Sequence, residues 1–171
     1  MPEEINRILA DRISSFLFCP TLTAFNNLKE ERFPYPSSDK TTQKIFNVGD
    51  VMYDSTLFYT EKAKSFCSLD IWGLKEKEYS LASIHRAENT DDPNRLASIF
   101  RALQAINEEL TVVLPLHPRT QGILKQSGNL DLLKGLLVLE PVPYLEMQRL
   151  EMSAKIILTD SGGMQKEAYF H

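Results

Sequence analysis

Lys155-Ile156-Ile157-Leu158-Thr159-Asp160-Ser161-Gly162-Gly163-Met164-Gln165-Lys166-Glu167 is the stretch whose reading decides the fold. The apolar run from Ile156 to Leu158 has the length of a buried parallel strand. It stops at Thr-Asp-Ser-Gly-Gly, and a helix-compatible stretch follows. Strand, Gly-Gly turn and helix start is how α/β proteins build an anion site. Glycine lets the backbone come close to a ligand, and the free N–H groups of the first helical turn point at it. Ser161 adds a hydroxyl donor. Glu167, four residues beyond Gly163, falls about one turn into the helix, where a carboxylate suits a ribose diol better than a phosphate. The same residues also read as a Ser-capped helix after a strand. This segment alone leaves both readings open.

Working outward, Tyr79–Ile84 reads as a strand ending at His85-Arg86-Ala87-Glu88-Asn89. Thr111–Leu116 reads as another, ending at His117-Pro118-Arg119. Gly135–Leu139 is a third, ending at Glu140-Pro141, and Lys155–Thr159 is the fourth. Pro93–Glu109 carries Leu96, Ile99, Phe100, Leu103 and Ile106 at helix-face spacing, with Asp91 or Asp92 as N-cap. Tyr144–Ser153 is a shorter helix with Leu145 and Leu150 inward. Strands alternating with helices at these spacings predict right-handed crossovers and a parallel sheet, an α/β fold. Ligands of such sheets bind outside the carboxyl ends of the strands. His85, His117 and Asp160-Ser161 gather there.

Bulk properties agree. A chain of 171 residues can bury one good core, or parts of two. Its 43% apolar and 25% charged content is ordinary for a globular protein. A net charge of -4 and the lack of a Lys/Arg-rich run argue against a nucleic-acid partner. No apolar stretch nears the length of a membrane helix and no signal peptide opens the chain, so a cytoplasmic protein without a membrane partner is expected. Cys19 and Cys67 stand apart, without metal or disulfide spacing, and are read as reduced and structural.

The N-terminal third is different in kind. Pro2-Glu3-Glu4 opens a helix with Ile5, Ile8, Leu9, Ile13 and Phe16 as its apolar stripe. Phe16–Pro20 reads as a short buried strand, followed by a helix from Thr21 to Glu30. Pro34–Lys40 is a linker by composition. Ile45–Gly49 is another short strand, and Asp50 caps a helix running to about Phe66. The strand at 17–19 has no earlier strand to pair with, so it reads as the tail of a parallel sheet, with exposed apolar surface beside it.

Several blocks together resemble the non-hydrolysing UDP-N-acetylglucosamine 2-epimerases along essentially the whole chain. They are Met1-Pro-Glu-Glu-Ile-Asn-Arg7, Asn47-Val-Gly-Asp50, Ser83-Ile-His-Arg-Ala-Glu-Asn89, Leu116-His-Pro-Arg119 and Leu158-Thr-Asp-Ser-Gly-Gly-Met-Gln-Lys-Glu167. The resemblance implies Rossmann-like parallel sheets in a two-domain architecture of the glycosyltransferase B type, with UDP held mainly by the C-terminal domain. It also implies a fragment. Residues 1–49 match the tail of the N-terminal domain and linker, and 50–171 an incomplete UDP-binding domain. The chemistry implied is elimination of UDP to give 2-acetamidoglucal, then re-addition with C2 inverted. That needs proton transfer on both faces of the sugar and stabilisation of the departing UDP.

Carried over residue by residue, Glu3 and His85 match catalytic positions. Arg7 sits one helical turn from Glu3, and a Glu3–Arg7 pair would contribute only about 0.2–0.5 kcal/mol. Ser161, Gly162 and Gly163 match the diphosphate-binding turn and Glu167 the ribose-binding acid. Val142 and Met147 fall where the family holds uracil. Met147 replaces an aromatic of some members, and Tyr144 offers a substitute ring. Arg86, Glu88 and Arg119 are read as ion-pairing residues that orient His85 or the cleft. No cofactor and no metal is implied. The partner implied is a UDP-sugar, with a homodimer or a second chain completing the cleft. Two other readings stand beside this one: a nucleotide-sugar glycosyltransferase of the same architecture, and a non-catalytic UDP-binding fragment. The sugar itself, N-acetylglucosamine or a 2,3-diacetamido uronic acid, is left open.

Overall fold

A computed structural model describes residues 2–34 and 43–171, apart from the side chains of Pro2 and Glu3. Most of the expected linker at 34–40 and the Glu3 carboxylate therefore lie outside the described residues. The chain falls into two compact units, residues 1–54 and 55–171.

The first unit contains α1 (Pro2–Ile13), β1 (Phe16–Cys19), α2 (Leu22–Glu30) and β2 (Lys44–Asn47), and the start of α3 (Val51–Phe66). Thr21 caps α2 by accepting from the Ala24 N–H at 3.1 Å. Asp50 caps α3 through the Met52 N–H at 3.0 Å. β1 takes its partner from later in the chain. It pairs in parallel with β2, Phe16 opposite Lys44 and Cys19 opposite Asn47. Contrary to the sequence expectation, it is not fully buried. Alternation sends Leu17 and Cys19 into a small core with Leu28 and Phe33, and leaves Phe16 and Phe18 outside. Those two rings stack with Phe46 of β2 on the open face, so the expected exposed apolar surface is present.

The second unit is built on β3 (Tyr79–Ser83), β4 (Thr111–Pro115), β5 (Leu137–Leu139) and β6 (Ile156–Thr159). They form a parallel sheet in the order β5-β4-β3-β6. The interior strands are apolar on both faces because both faces are covered. Ala82, Val112 and Leu114 pack with Leu96, Phe100 and Leu103 of α5 (Pro93–Asn107) and Leu124 of α6 (Pro118–Gln126). Tyr79, Leu81 and Val113 pack the other way, against Leu150 of α7 (Tyr144–Ser153), Leu69 and Leu74. Each such fully buried large side chain contributes about 1.5–3 kcal/mol of transfer free energy. Asp92, rather than Asp91, caps α5, accepting from Asn94 and Arg95 N–H at 2.9 and 3.2 Å.

Two expectations need adjustment. The strand Ile156–Thr159, read as buried, is the edge of the sheet among the described residues, and Ile156 is 48% exposed. The Gly135–Leu139 strand begins only at Leu137, because Gly135 takes a positive φ of 85° that ends extended pairing. The helix α6, whose bounds the sequence reading did not give, starts with Pro118 in its first turn and His117 as N-cap.

Candidate functional site: the crevice between the first and last strands

Chain order gives the site its place. From β3 the chain steps outward to β4 and β5, then returns to lay β6 on the opposite side of β3. The chain thus leaves β3 toward one side and sets β6 on the other, which opens a crevice at the carboxyl ends of β3 and β6. The residues there are Ser83-Ile84-His85-Arg86 on one side and Asp160-Ser161-Gly162-Gly163 on the other.

Asp160 joins the two sides. Its carboxylate accepts the backbone N–H of His85 at 3.1 and 3.2 Å, that of Arg86 at 2.9 Å, and the Asn89 side-chain amide at 3.0 Å. The His85 Nδ1 lies 3.5 Å from the same carboxylate and 3.4 Å from the Ser83 hydroxyl. Burial alone would raise the Asp160 pKa. The donated hydrogen bonds from Asn89, Arg86 and His85 outweigh it and hold the carboxyl below the usual range. The imidazole is thereby held at the crevice with nearly half its surface open to solvent.

Ser161 caps α8 (Gly162–Phe170), its hydroxyl accepting from the Met164 N–H at 3.4 Å. Gly162 and Gly163 form the exposed first turn, so their N–H groups face the crevice mouth unencumbered by side chains. The Arg86 guanidinium lies over this turn, 3.6 Å from where a Cβ on Gly162 would stand. A cation and a helix N-terminus thus converge on one spot. One turn further along α8, Glu167 accepts from Gln148 Nε2 at 3.0 Å and from the Tyr144 hydroxyl at 3.3 Å. Burial raises its pKa, and the Tyr144 and Gln148 bonds pull partly against that rise.

Beside this turn lies a cavity of about 240 Å³, lined by His85, His117, Pro141, Val142, Met147 and the ends of β3 and β4. His117 is fixed there as the N-cap of α6, its Nδ1 accepting from the Arg119 N–H at 3.2 Å. A larger cavity of about 500 Å³ lies along the outer edge of β6, lined by Ile106, Leu110, Lys155 and Ile156, and brings none of the strand-end polar groups together.

The profile described as UDP-N-acetylglucosamine 2-epimerase matches residues 1–171. The chain belongs to the UDP-N-acetylglucosamine 2-epimerase family. It is 50% identical to a UDP-2,3-diacetamido-2,3-dideoxy-D-glucuronate 2-epimerase of Pseudomonas aeruginosa, over 99% of this chain and 45% of that protein. It is 41% identical to a UDP-N-acetylglucosamine 2-epimerase of Methanocaldococcus jannaschii, over 98% of this chain and 46% of the relative. The crystal structure of a M. jannaschii UDP-GlcNAc 2-epimerase in complex with UDP-GlcNAc and UDP superposes with a TM-score of 0.81 at 40% identity, covering 99% of this chain and 47% of that one. The chain therefore spans about half the length of the curated relatives it matches. Its α/β fold of Rossmann-like parallel sheets is the epimerase family's, of the glycosyltransferase B type.

Within this epimerase-family chain, the second unit brings most of the sequence-predicted residues together. His85, Val142 and Met147 line one cavity, and Ser161, Gly162, Gly163 and Glu167 lie along the start of α8. Arg7 belongs to the first unit, where it pairs with Asp11 at 2.8 Å and Glu31 at 3.1 Å. The Glu3–Arg7 pair lies outside what is described. Arg119 forms an ion pair, as expected, with Asp91 at 2.7 Å on the surface. Tyr144 is 45% exposed. It packs edge-on to Tyr59, with centroids 5.3 Å apart, and its hydroxyl is committed to Glu167.

Three residues carry more than sequence reasoning gave them. Asp160 is the hub of the crevice, Asn89 is its side-chain donor, and Gln148 is the fully buried support of Glu167. The spacing of Tyr144 and Gln148, one helical turn apart, was the available signal for the last.

Proposed function

We propose that this chain supplies the UDP-binding half of a nucleotide-sugar 2-epimerase. The observation that supports the reading best is the convergence of Arg86 and the Ser161-Gly162-Gly163 helix start at the β3/β6 crevice. In this reading the α8 N–H groups, the Ser161 hydroxyl and Arg86 hold the diphosphate. Glu167 accepts the ribose hydroxyls, and uracil lies in the Val142–Met147 cavity. His85 faces the phosphate oxygen that departs when UDP leaves. Glu3 handles the proton at C2 and Arg7 contacts the substrate. Residues 1–49 form the tail of one domain and 50–171 an incomplete UDP-binding domain, working in the cytoplasm with a homodimer mate or second chain closing the cleft.

The reaction is conversion of UDP-N-acetylglucosamine to UDP-N-acetylmannosamine. Elimination breaks the C1–O bond and removes the C2 proton, giving 2-acetamidoglucal and UDP. Re-addition restores both bonds with C2 inverted. Family membership favours this over glycosyl transfer to an acceptor. The 50% identity to an epimerase of a 2,3-diacetamido glucuronate supports that sugar as the second substrate reading.

Calorimetric titration with UDP tests the proposal. Binding is expected, and Glu167→Ala is expected to weaken it about ten- to a hundredfold, the loss of one charged hydrogen-bond acceptor. A folded chain that ignores millimolar UDP defeats the reading. The 171-residue chain by itself is proposed to epimerise far more slowly than full-length relatives, because losing one placed acid or base costs about 10²–10⁴-fold. Detection of UDP-N-acetylmannosamine by NMR at a rate near theirs would refute this.

A further inference from the structure

Glu151 is a buried acid that the reading above does not use. Its residue is 2% exposed, and its Oε2 meets no hydrogen-bond donor among the described residues. It lies on the stripe Tyr144, Gln148, Glu151, spaced i, i+4, i+7 along α7. The first two of these residues reach Glu167 of α8 directly. The third meets Glu167 through its charge. Gln148 is locked from both ends, its amide nitrogen on Glu167 and its carbonyl 3.2 Å from His171 Nε2.

Of the other ionisable groups around α7, His171 lies on Gln148 with its pKa lowered by burial and by Lys77, and the buried Arg149 Nε meets no acceptor among the described residues. Arg149 pairs with Glu76, and Lys77 donates to the carbonyls of Met152 and Ala154. The Tyr79 hydroxyl donates to the Leu150 carbonyl, and Glu146 bears on Cys67. The charge that bears on Glu151, that of Glu167, is of its own sign. A bare carboxylate, desolvated and beside a second carboxylate, is the least favourable state of such a pair; holding one proton removes the conflict.

We propose that Glu151 is a positioning residue for Glu167: as a neutral carboxylic acid behind the α7–α8 contact, it leaves Glu167 the single anionic acceptor at the ribose end of the UDP crevice. This rests on the UDP-binding reading. Loss of the Glu151 proton places two negative charges side by side behind an anionic ligand, and α7 and α8 are driven apart or Glu167 takes the proton instead. Either outcome removes the ribose acceptor. Burial and the Glu167 charge push the Glu151 pKa up to about 8, which places the change just above neutral pH.

The test compares UDP titrations of the whole chain and its Glu151→Gln variant between pH 6.5 and 9. Gln keeps the shape and a donor but cannot ionise, and titration of the nucleotide is common to both proteins. Wild-type affinity is expected to fall about tenfold per pH unit above pH 8 relative to the variant. A structural role alone would shift both curves together, and parallel curves overturn the proposal. Carbon-13 NMR of the wild-type Glu151 carboxyl provides a readout that needs neither ligand nor variant. Titration near pH 8 supports the inference, and titration in the ordinary carboxylate range overturns it. If UDP fails to bind at any pH while the carboxyl titrates high, the functional reading falls and the protonated acid stands.

Discussion

The Asp160 carboxylate accepts the backbone N–H of His85 at 3.1 and 3.2 Å across a sequence separation of 75. That contact fixes the loop after the first strand of the sheet to the turn after the last. It places the imidazole, Arg86 and the α8 N-terminus in one crevice.

Asp160→Asn is therefore expected to loosen the crevice. An amide retains one acceptor and turns an N–H toward donors already fixed there, at a cost of about 1.5–3 kcal/mol. The sign with pH follows from the depressed pKa of Asp160 in the folded chain. Its stabilisation is complete above the unfolded value, about 3.9, and is lost as pH falls through the lower folded value. Chemical denaturation at pH 7 and pH 3 measures this. The gap between wild type and variant should be wide at pH 7 and narrower at pH 3.

Ser161→Ala should cost about 1 kcal/mol through loss of the α8 cap, and Ser161→Asn should restore it. Thermal unfolding reads the cap. UDP titration of the Asn variant reads the ligand contribution separately, since Asn caps without offering a hydroxyl.

Glu151 makes the opposite pH prediction from Asp160. Its folded pKa of about 8 stands above the unfolded carboxyl value, so the folded chain keeps a proton that the unfolded chain releases. Stability is then highest at low pH, declines by about 1.4 kcal/mol per pH unit between the two values, and levels off above the folded one. Glu151→Gln should gain on wild type across that window by a few kcal/mol in total. Denaturation midpoints at pH 5 and pH 8 decide it, and an unchanging difference would contradict the buried, protonated acid.

Phe18, on the open face of the β1–β2 pair, is 66% exposed. Phe18→Thr should change stability by no more than about 0.5 kcal/mol, since Thr suits a strand and little buried surface is lost. Binding of a hydrophobic dye should fall, because the stacked Phe16–Phe18–Phe46 patch is broken. A large stability loss would mean that the face is covered.

Sequence by itself determined the elements and their order. Local signals sufficed: Asp91 or Asp92 ahead of a periodic helix, Asp50 as a cap, and short apolar strand patterns stopping at His85, His117 and Asp160. Alternation of strand and helix, with handed crossovers, then dictated a parallel sheet with those residues at its carboxyl ends. The pairing of β1 with β2, the edge position of β6 and the commitments of individual polar groups were decided only in three dimensions. Hydrogen bonds such as Asp160 to His85 and Gln148 to Glu167 join residues distant in the chain, and their partners are chosen by proximity after packing. Tyr144 shows the difference most plainly. Its sequence position offers a ring for a base, and only packing against Tyr59 and the need of the half-buried Glu167 for a donor reveal that its hydroxyl holds that carboxylate.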